Sequence, residues 1–180
     1  MIGVLGGSFD PIHFGHIDPL IEVSKRYNFS EIKLIPTYCS PVGKKFHADS
    51  RHRMNMVSII SSSSTNNFSA EDIEIKRGGV SYTIDTLKDM KRSIIKEEDE
   101  LFYLIGSDSL LELSQWKEPE EILNNCNVVV AIRPGFRPSD IPAWILHRIQ
   151  FANIPRFEIS SSNIRTRWRE NKTIRYMVTL

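Results

Sequence analysis

Six short apolar runs, separated by segments with helical spacing, restrict this chain more than any other feature of its sequence. They lie at residues 2–5, closed by Gly6 and Gly7; 32–35, closed by Pro36; 68–75, closed by Gly78 and Gly79; 101–105, closed by Gly106; 127–132, followed by Arg133, Pro134 and Gly135; and 149–154. Runs of this length bounded by turn residues read as buried strands. Between them, Ile17, Leu20, Ile21 and Ser24 recur at helical spacing, as do Met54, Val57 and Ile60, then Ile84, Leu87 and Ile94. A short apolar helix follows Asp108, and a last helix runs from the serines at 160–162 to Arg169. Pro19 is compatible with the first helix if that helix begins near Gly15 or His16, because first-turn amides have no intrahelical acceptor. Thr83 is placed to cap the third helix, with Asp85 in its first turn complementing the dipole. Strand and helix in alternation imply an α/β fold: a doubly wound, mostly parallel sheet with right-handed crossovers and helices on both faces. The ligand crevice of such a sheet lies at the carboxyl ends of its strands. No linker, repeat or low-complexity block interrupts the 180 residues, so a single domain over 1–180 is expected.

Charge narrows the class of partner. With 23 Lys plus Arg against 22 Asp plus Glu, the chain lacks the basic excess of a dedicated nucleic-acid binder, while a small charged ligand held locally remains open. No apolar stretch approaches the roughly 20 residues of a membrane span, and the first residues lack a signal-peptide pattern. A soluble cytoplasmic protein without membrane partners is expected. Cys39 and Cys126 have no metal-ligand spacing and read as two reduced thiols. Homo-oligomerisation is left open.

The chemistry concentrates in GGSFDPIHFGH, residues 6–16. A glycine pair lets backbone amides approach an anion, and the helix start adds its positive dipole end, so this segment can hold phosphate. It contains neither GKS nor GKT, and no GxGxxG, which argues against a Walker loop and a dinucleotide hydride-transfer enzyme. His13 and His16 can donate together to a phosphate. They could also pair on zinc or pack, but no third ligand for a zinc site is placed nearby.

The same segment resembles the HxGH signature of the nucleotidyltransferase superfamily, and SSSNIR at 160–165 is similar to its second, ISSTxIR-like signature. Hydroxyls and amides at a helix start, with Arg165 one turn inward, form a phosphate clamp; the alternative is a serine cap beside a solvated arginine. SYTIDTL at 81–87, preceded by DIEIKRGG, and GSDSLLELSQWKEPEEIL at 106–123 resemble segments of the nicotinate-nucleotide branch, and ENKTIRYMV resembles its terminal helix. These matches span nearly the whole chain in order. They are the basis on which the chain is identified as a member of the nicotinate-nucleotide adenylyltransferase family, with its Rossmann-like fold.

The resemblance implies adenylyl transfer from ATP to nicotinate mononucleotide, giving nicotinate adenine dinucleotide and pyrophosphate, with Mg2+ bound alongside ATP and no protein-held metal. It implies that His16 donates to the α-phosphate, that His13 supports the triphosphate, and that Lys44 and Arg165 hold the outer phosphates. Gly7, Ser8, Phe9, Gly106, Ser160, Ser161 and Ser162 would contact ATP. Asp108 would either accept hydrogens from ribose or adenine or cap its helix. Trp116 would stack on the pyridine ring or pack in the core, and amides near Thr83 and Lys117 would read the nicotinate carboxylate. Arg53 and Arg77 are expected to be solvated or salt-bridged, outside the site. Two departures stand out. Gly43 occupies a place where the family often has histidine, leaving Lys44 and Lys45 as competing phosphate ligands, and the chain stops at Leu180 sooner after IRYMV than is common. Pantetheine-phosphate adenylylation and a non-enzymatic nucleotide sensor are the alternatives.

Overall fold

The computed structural model describes residues 1–63, 67–132, 136–155 and 158–178. Six strands form one sheet: β1 (Ile2–Gly7), β2 (Glu31–Pro36), β3 (Phe68–Ala70), β4 (Leu101–Gly106), β5 (Asn127–Ile132) and β6 (Ile149–Asn153). Their order is β3-β2-β1-β4-β5-β6 and all five pairings are parallel. The order reverses direction between β1 and β4, which places the crevice of a doubly wound sheet at the carboxyl ends of those two strands.

Side chains alternate between two cores. Along β4, Leu101, Tyr103 and Ile105 join one buried cluster, whereas Phe102 and Leu104 join the other; Val128 and Val130 oppose Val129 on β5 in the same way. Burial on both faces explains why these strands read as continuous apolar runs. The first cluster is covered by α4 (Thr83–Ser93) and α6 (Pro119–Asn125), through Ile84, Leu87, Met90, Ile122 and Leu123. The second is covered by α1 (Phe14–Tyr27) and α2 (Ser50–Ser63), through Ile17, Leu20, Val23, Val57 and Ile60. The remaining helices are short, α3 (Ile73–Arg77), α5 (Ser107–Glu112) and α7 (Ala143–Leu146), except α8 (Ser161–Arg169).

Several expectations need correction. The run at 68–75 is not one strand, because β3 stops at Ala70 and residues 73–77 turn into α3. Charged residues serve the helix here: Glu74 is buried and accepts a 2.8 Å hydrogen bond from Thr86 Oγ1, while Lys76 pairs with Asp72 one turn back. Thr83 is the first helical residue of α4 and Tyr82 its N-cap, so Thr83 does not cap. Pro19 lies beyond the first turn of α1, which starts at Phe14, and α1 therefore lacks the amide that would reach the Gly15 carbonyl. Residues 175–177 form a turn rather than a terminal helix, tied back where the Phe14 amide donates to the Met177 carbonyl at 3.0 Å. Arg53 is not solvated: it is 1% exposed. Arg77 does form the expected salt bridge, to Asp89 at 2.9 Å. Both cysteines are free, and burial pushes the Cys126 thiol up to about 12. The 133–135 segment, Ser64 and Leu180 lie outside the described residues. No described helix is long and apolar enough to cross a membrane.

Candidate active site

Strand β1 delivers its carboxyl end into the crevice through the turn Gly7, Ser8 and Phe9. Phe9 has φ 44° and is fully buried, backbone included, so it shapes the turn, and of the expected Gly7, Ser8 and Phe9 only Ser8 lines the cleft. A Cβ on Gly7 would meet the Phe9 ring at 3.0 Å, which is why the turn needs glycine there. His13 is the N-cap of α1 and His16 lies in its first turn, with ring centroids 3.7 Å apart. The His13 backbone amide donates to His16 Nδ1 at 3.3 Å. A neutral His16 ring accepting on Nδ1 carries its proton on Nε2, so the second nitrogen is a donor at a helix N-terminus.

The far end of the chain completes the cleft. Ser160 caps α8 by accepting from the Asn163 amide at 3.2 Å, and Ser161 Oγ donates to the Pro11 carbonyl at 2.9 Å. Arg165 donates to the Asp10 carbonyl at 2.6 Å and to Ser162 Oγ at 3.1 Å, using two of its five N–H groups. Gly15 permits the approach of α8 to α1, since a Cβ there would lie 2.8 Å from the Ile159 carbonyl. Lys44 Nζ reaches Ser8 Oγ at 3.4 Å across the cleft, and Lys45 lines the same space. The Lys44 loop is anchored by Asp10, whose carboxylate accepts from the amides of His47 at 2.7 Å and Ala48 at 3.1 Å.

The resulting cleft of about 250 Å³ brings together Ser8, His13, His16, Lys44, Ser160, Ser161, Ser162 and Arg165. Two helix N-termini, three imidazoles with His47, two lysines and an arginine face one space whose single carboxylate, Asp10, is occupied by backbone amides, which makes an anion site. Beside it, an apolar cavity of about 110 Å³ at the ends of β1, β4 and β5 is lined by Leu5, His16, Leu20, Gly106 and Ala131. A planar base fits the chemistry of those walls. A larger apolar groove of about 540 Å³ runs behind the anion cleft, between α2 and α8, sharing only Asp10, His47 and Arg165 with it.

The sequence matches the cytidylyltransferase-like family model over residues 4–167. It is 36% identical over 174 residues, 97% of this chain and 90% of the relative, to a "probable nicotinate-nucleotide adenylyltransferase" of Tropheryma whipplei (strain TW08/27). The chain belongs to the nicotinate-nucleotide adenylyltransferase family. A protein from Aquifex aeolicus (strain VF5) with the same description is 42% identical over 132 residues, covering 73% of this chain and 77% of its own. Among solved structures, Plasmodium falciparum nicotinic acid mononucleotide adenylyltransferase complexed with NaAD superposes with a TM-score of 0.76 at 27% identity, covering 96% of this chain and 86% of that one.

In this adenylyltransferase family member, the remaining expected residues form a second cluster, across the sheet. Thr83 Oγ1 lies 3.4 Å from the Tyr103 hydroxyl, and Trp116 meets the Tyr103 ring edge-on at 6.4 Å. Burial raises the Tyr103 pKa, keeping the phenol protonated. A Cβ on Gly6 would lie 2.9 Å from that hydroxyl, so Tyr103 connects the cluster to β1. Lys117 is not available as a free cation: its ammonium contacts both Asp85 oxygens at 3.0 Å and lies 4.8 Å from the Tyr82 ring centroid, and the bond to Asp85 raises its pKa. Asp108 is an exposed residue in the first turn of α5, and Gly106, not Asp108, occupies the cap position. Sequence reasoning missed Asp10, Arg53 and Tyr103. Asp10 lies within the first motif and could have been found there; the other two carry no local signal.

Proposed function

We infer that this chain transfers the adenylyl group of ATP to nicotinate mononucleotide, forming nicotinate adenine dinucleotide and pyrophosphate, as a single nucleotidyltransferase domain over 1–180. One observation carries the reading: the N-termini of α1 and α8 converge with His13, His16, Lys44 and Arg165 on one anion cleft at the β1/β4 switch point. The relatives' names supply the substrate class.

A phosphate oxygen of the mononucleotide attacks the ATP α-phosphorus, the new P–O bond forms as the bond to pyrophosphate breaks, and no protein nucleophile intervenes. The protein's task is in-line alignment and neutralisation of charge. His16 Nε2–H donates to an α-phosphate oxygen. His13, Lys44, Ser8 and the first amides of α8 take the outer phosphates, and Arg165, anchored on Asp10, faces the leaving pyrophosphate. The base occupies the cavity beside Gly106, and Asp108, two residues on in the first turn of α5, is the nearest acidic side chain in sequence to accept from its ribose or amino hydrogens.

The cleft's donors are imidazoles, ammonium, guanidinium and hydroxyls, and the Asp10 carboxylate is engaged by two amides. That donor set suits phosphate oxygens rather than a protein-held divalent ion, so Mg2+ enters as part of the MgATP substrate. No group of three metal-ligating side chains occurs among the described residues. The mononucleotide's ring stacks on Trp116. Its carboxylate meets the unpaired first amides of α4 at Thr83 and the backbone near Lys117, since the Lys117 side chain is paired. We read the reaction as cytoplasmic, without a nucleic-acid or membrane partner; the balance of 23 Lys plus Arg against 22 Asp plus Glu and the small, freely diffusing substrates support that reading.

Pyrophosphate release from MgATP tests the reading with nicotinate mononucleotide, nicotinamide mononucleotide and pantetheine phosphate as acceptors. An amide-lined carboxylate pocket offers no acceptor to a carboxamide NH2, so catalytic efficiency should favour the nicotinate form by about 30-fold to 1,000-fold. Equal values overturn nicotinate specificity, turnover only with pantetheine phosphate reassigns the acceptor, and no turnover with any of them leaves a nucleotide-binding protein.

A further inference from the structure

Arg53 is a buried cation that the reaction scheme above leaves unused. It stands in the first turn of α2, with its guanidinium 4.2 Å from the centroid of the Phe46 ring. Its Nε donates to the Ala48 carbonyl at 3.2 Å and an Nη to the Ser8 carbonyl at 2.8 Å. These two carbonyls belong to different walls of the anion cleft: Ser8 to the turn after β1, Ala48 to the loop that carries Lys44. No described carboxylate lies within ion-pair distance of Arg53, and the Asp10 carboxylate is directed to the amides of His47 and Ala48. Burial lowers the guanidinium's pKa, and the fields of Asp10, Asp49 and Glu74 oppose that shift from a distance. A guanidinium held by carbonyls and a ring, without a contacting anion, carries a desolvation cost that an arriving anion offsets.

We propose that Arg53 is a positioning residue of the phosphate cleft: it fixes the Ser8 turn against the Lys44 loop, and the triphosphate of ATP is the anion that balances its buried charge. The inference rests on the reading of the cleft as the ATP phosphate site. Arg53 reaches the phosphates through Ser8 and Lys44 and through its field, not by contact. It differs in this from Arg165, which lines the cleft itself.

The test compares wild type with Arg53→Met, Arg53→Lys and Phe46→Leu, reading calorimetric affinity for a non-hydrolysable ATP analogue and for pyrophosphate, the KM of each substrate, and thermal midpoint. Losing the hydrogen bonds of a charged donor should weaken ATP and pyrophosphate binding by about 10-fold to 100-fold in Arg53→Met. The KM for nicotinate mononucleotide should stay within about twofold, because uniform damage would move both substrates together. Arg53→Lys should recover part of the loss, since it keeps the charge but not the fork. Unchanged nucleotide affinity in a folded Arg53→Met protein, or an equal rise in both KM values, overturns the proposal. If Arg53→Met does not fold, Phe46→Leu decides: removing a ring from under the cation should weaken ATP binding about threefold, and wild-type affinity refutes the role. Wild-type protein that binds no ATP analogue would instead sink the underlying assignment of the cleft.

Discussion

The part proposed for His16 depends less on its identity than on its surroundings. Its ring lies against that of His13, receives the His13 amide on Nδ1 and sits in the first turn of α1. Those neighbours fix which nitrogen donates and give it a positive environment before any substrate arrives. Preorganised donors aimed at developing charge contribute about 100-fold to 1,000-fold in rate. His16→Ala should therefore lower kcat by that factor while ATP affinity falls much less, as single-turnover kinetics beside equilibrium binding would establish. A folded variant with wild-type turnover would remove His16 from the chemistry. The Lys117 side chain is the opposite case: the resemblance puts its position at the acceptor site, yet its charge is matched by Asp85 before any ligand is considered.

At the scale of elements, what was legible followed from repetition. Strands β1, β2, β4, β5 and β6 could be read because each is a largely apolar run stopped by a turn signal or a polar loop, and in β2, β4 and β5 burial on both faces removes the ambiguity of alternation. β3 and α3 could not, because their boundary depends on a buried Glu74 meeting Thr86 of α4, a contact with no trace in local pattern. The anion cleft was legible at His13, His16 and the 160–165 segment, where helix starts coincide with donor-rich motifs. Arg53 was not, since an arginine is assigned to solvent unless its partners are known, and here they are backbone carbonyls. The meeting of α1 and α8 gives a sharp test of packing. Gly15→Ala would place a methyl 2.8 Å from the Ile159 carbonyl, backbone that cannot rotate away. Overpacking of this kind costs about 1–3 kcal/mol, so both unfolding stability and ATP affinity should fall. Denaturant titration and calorimetry check this, and a variant unchanged in both would mean that the two helices have room to separate.

For the molecule as a whole, Glu74 couples stability to pH. Desolvation raises its carboxyl above the ordinary value of 4.5, against the opposing influence of Ser81, Thr86 and Arg77. An acid with a raised folded-state pKa binds its proton more tightly in the fold than in the unfolded chain. Its contribution is therefore most favourable below 4.5 and is lost as pH climbs through the higher folded value. Glu74→Gln removes that loss, since an amide oxygen can still accept from Thr86. The variant's stability relative to wild type should increase with pH from about 4.5 upward, measured by unfolding at a series of pH values; a constant offset would refute the coupling. The tethers of the cleft have a different consequence, one of timing. Ser161 reaches Pro11, and Arg165 reaches Asp10, across separations of 150 and 155 residues. A chain emerging from the ribosome has no closed nucleotide site until synthesis has passed Arg165 and the sheet between the two ends has assembled. Nucleotide binding is then a report that folding has finished.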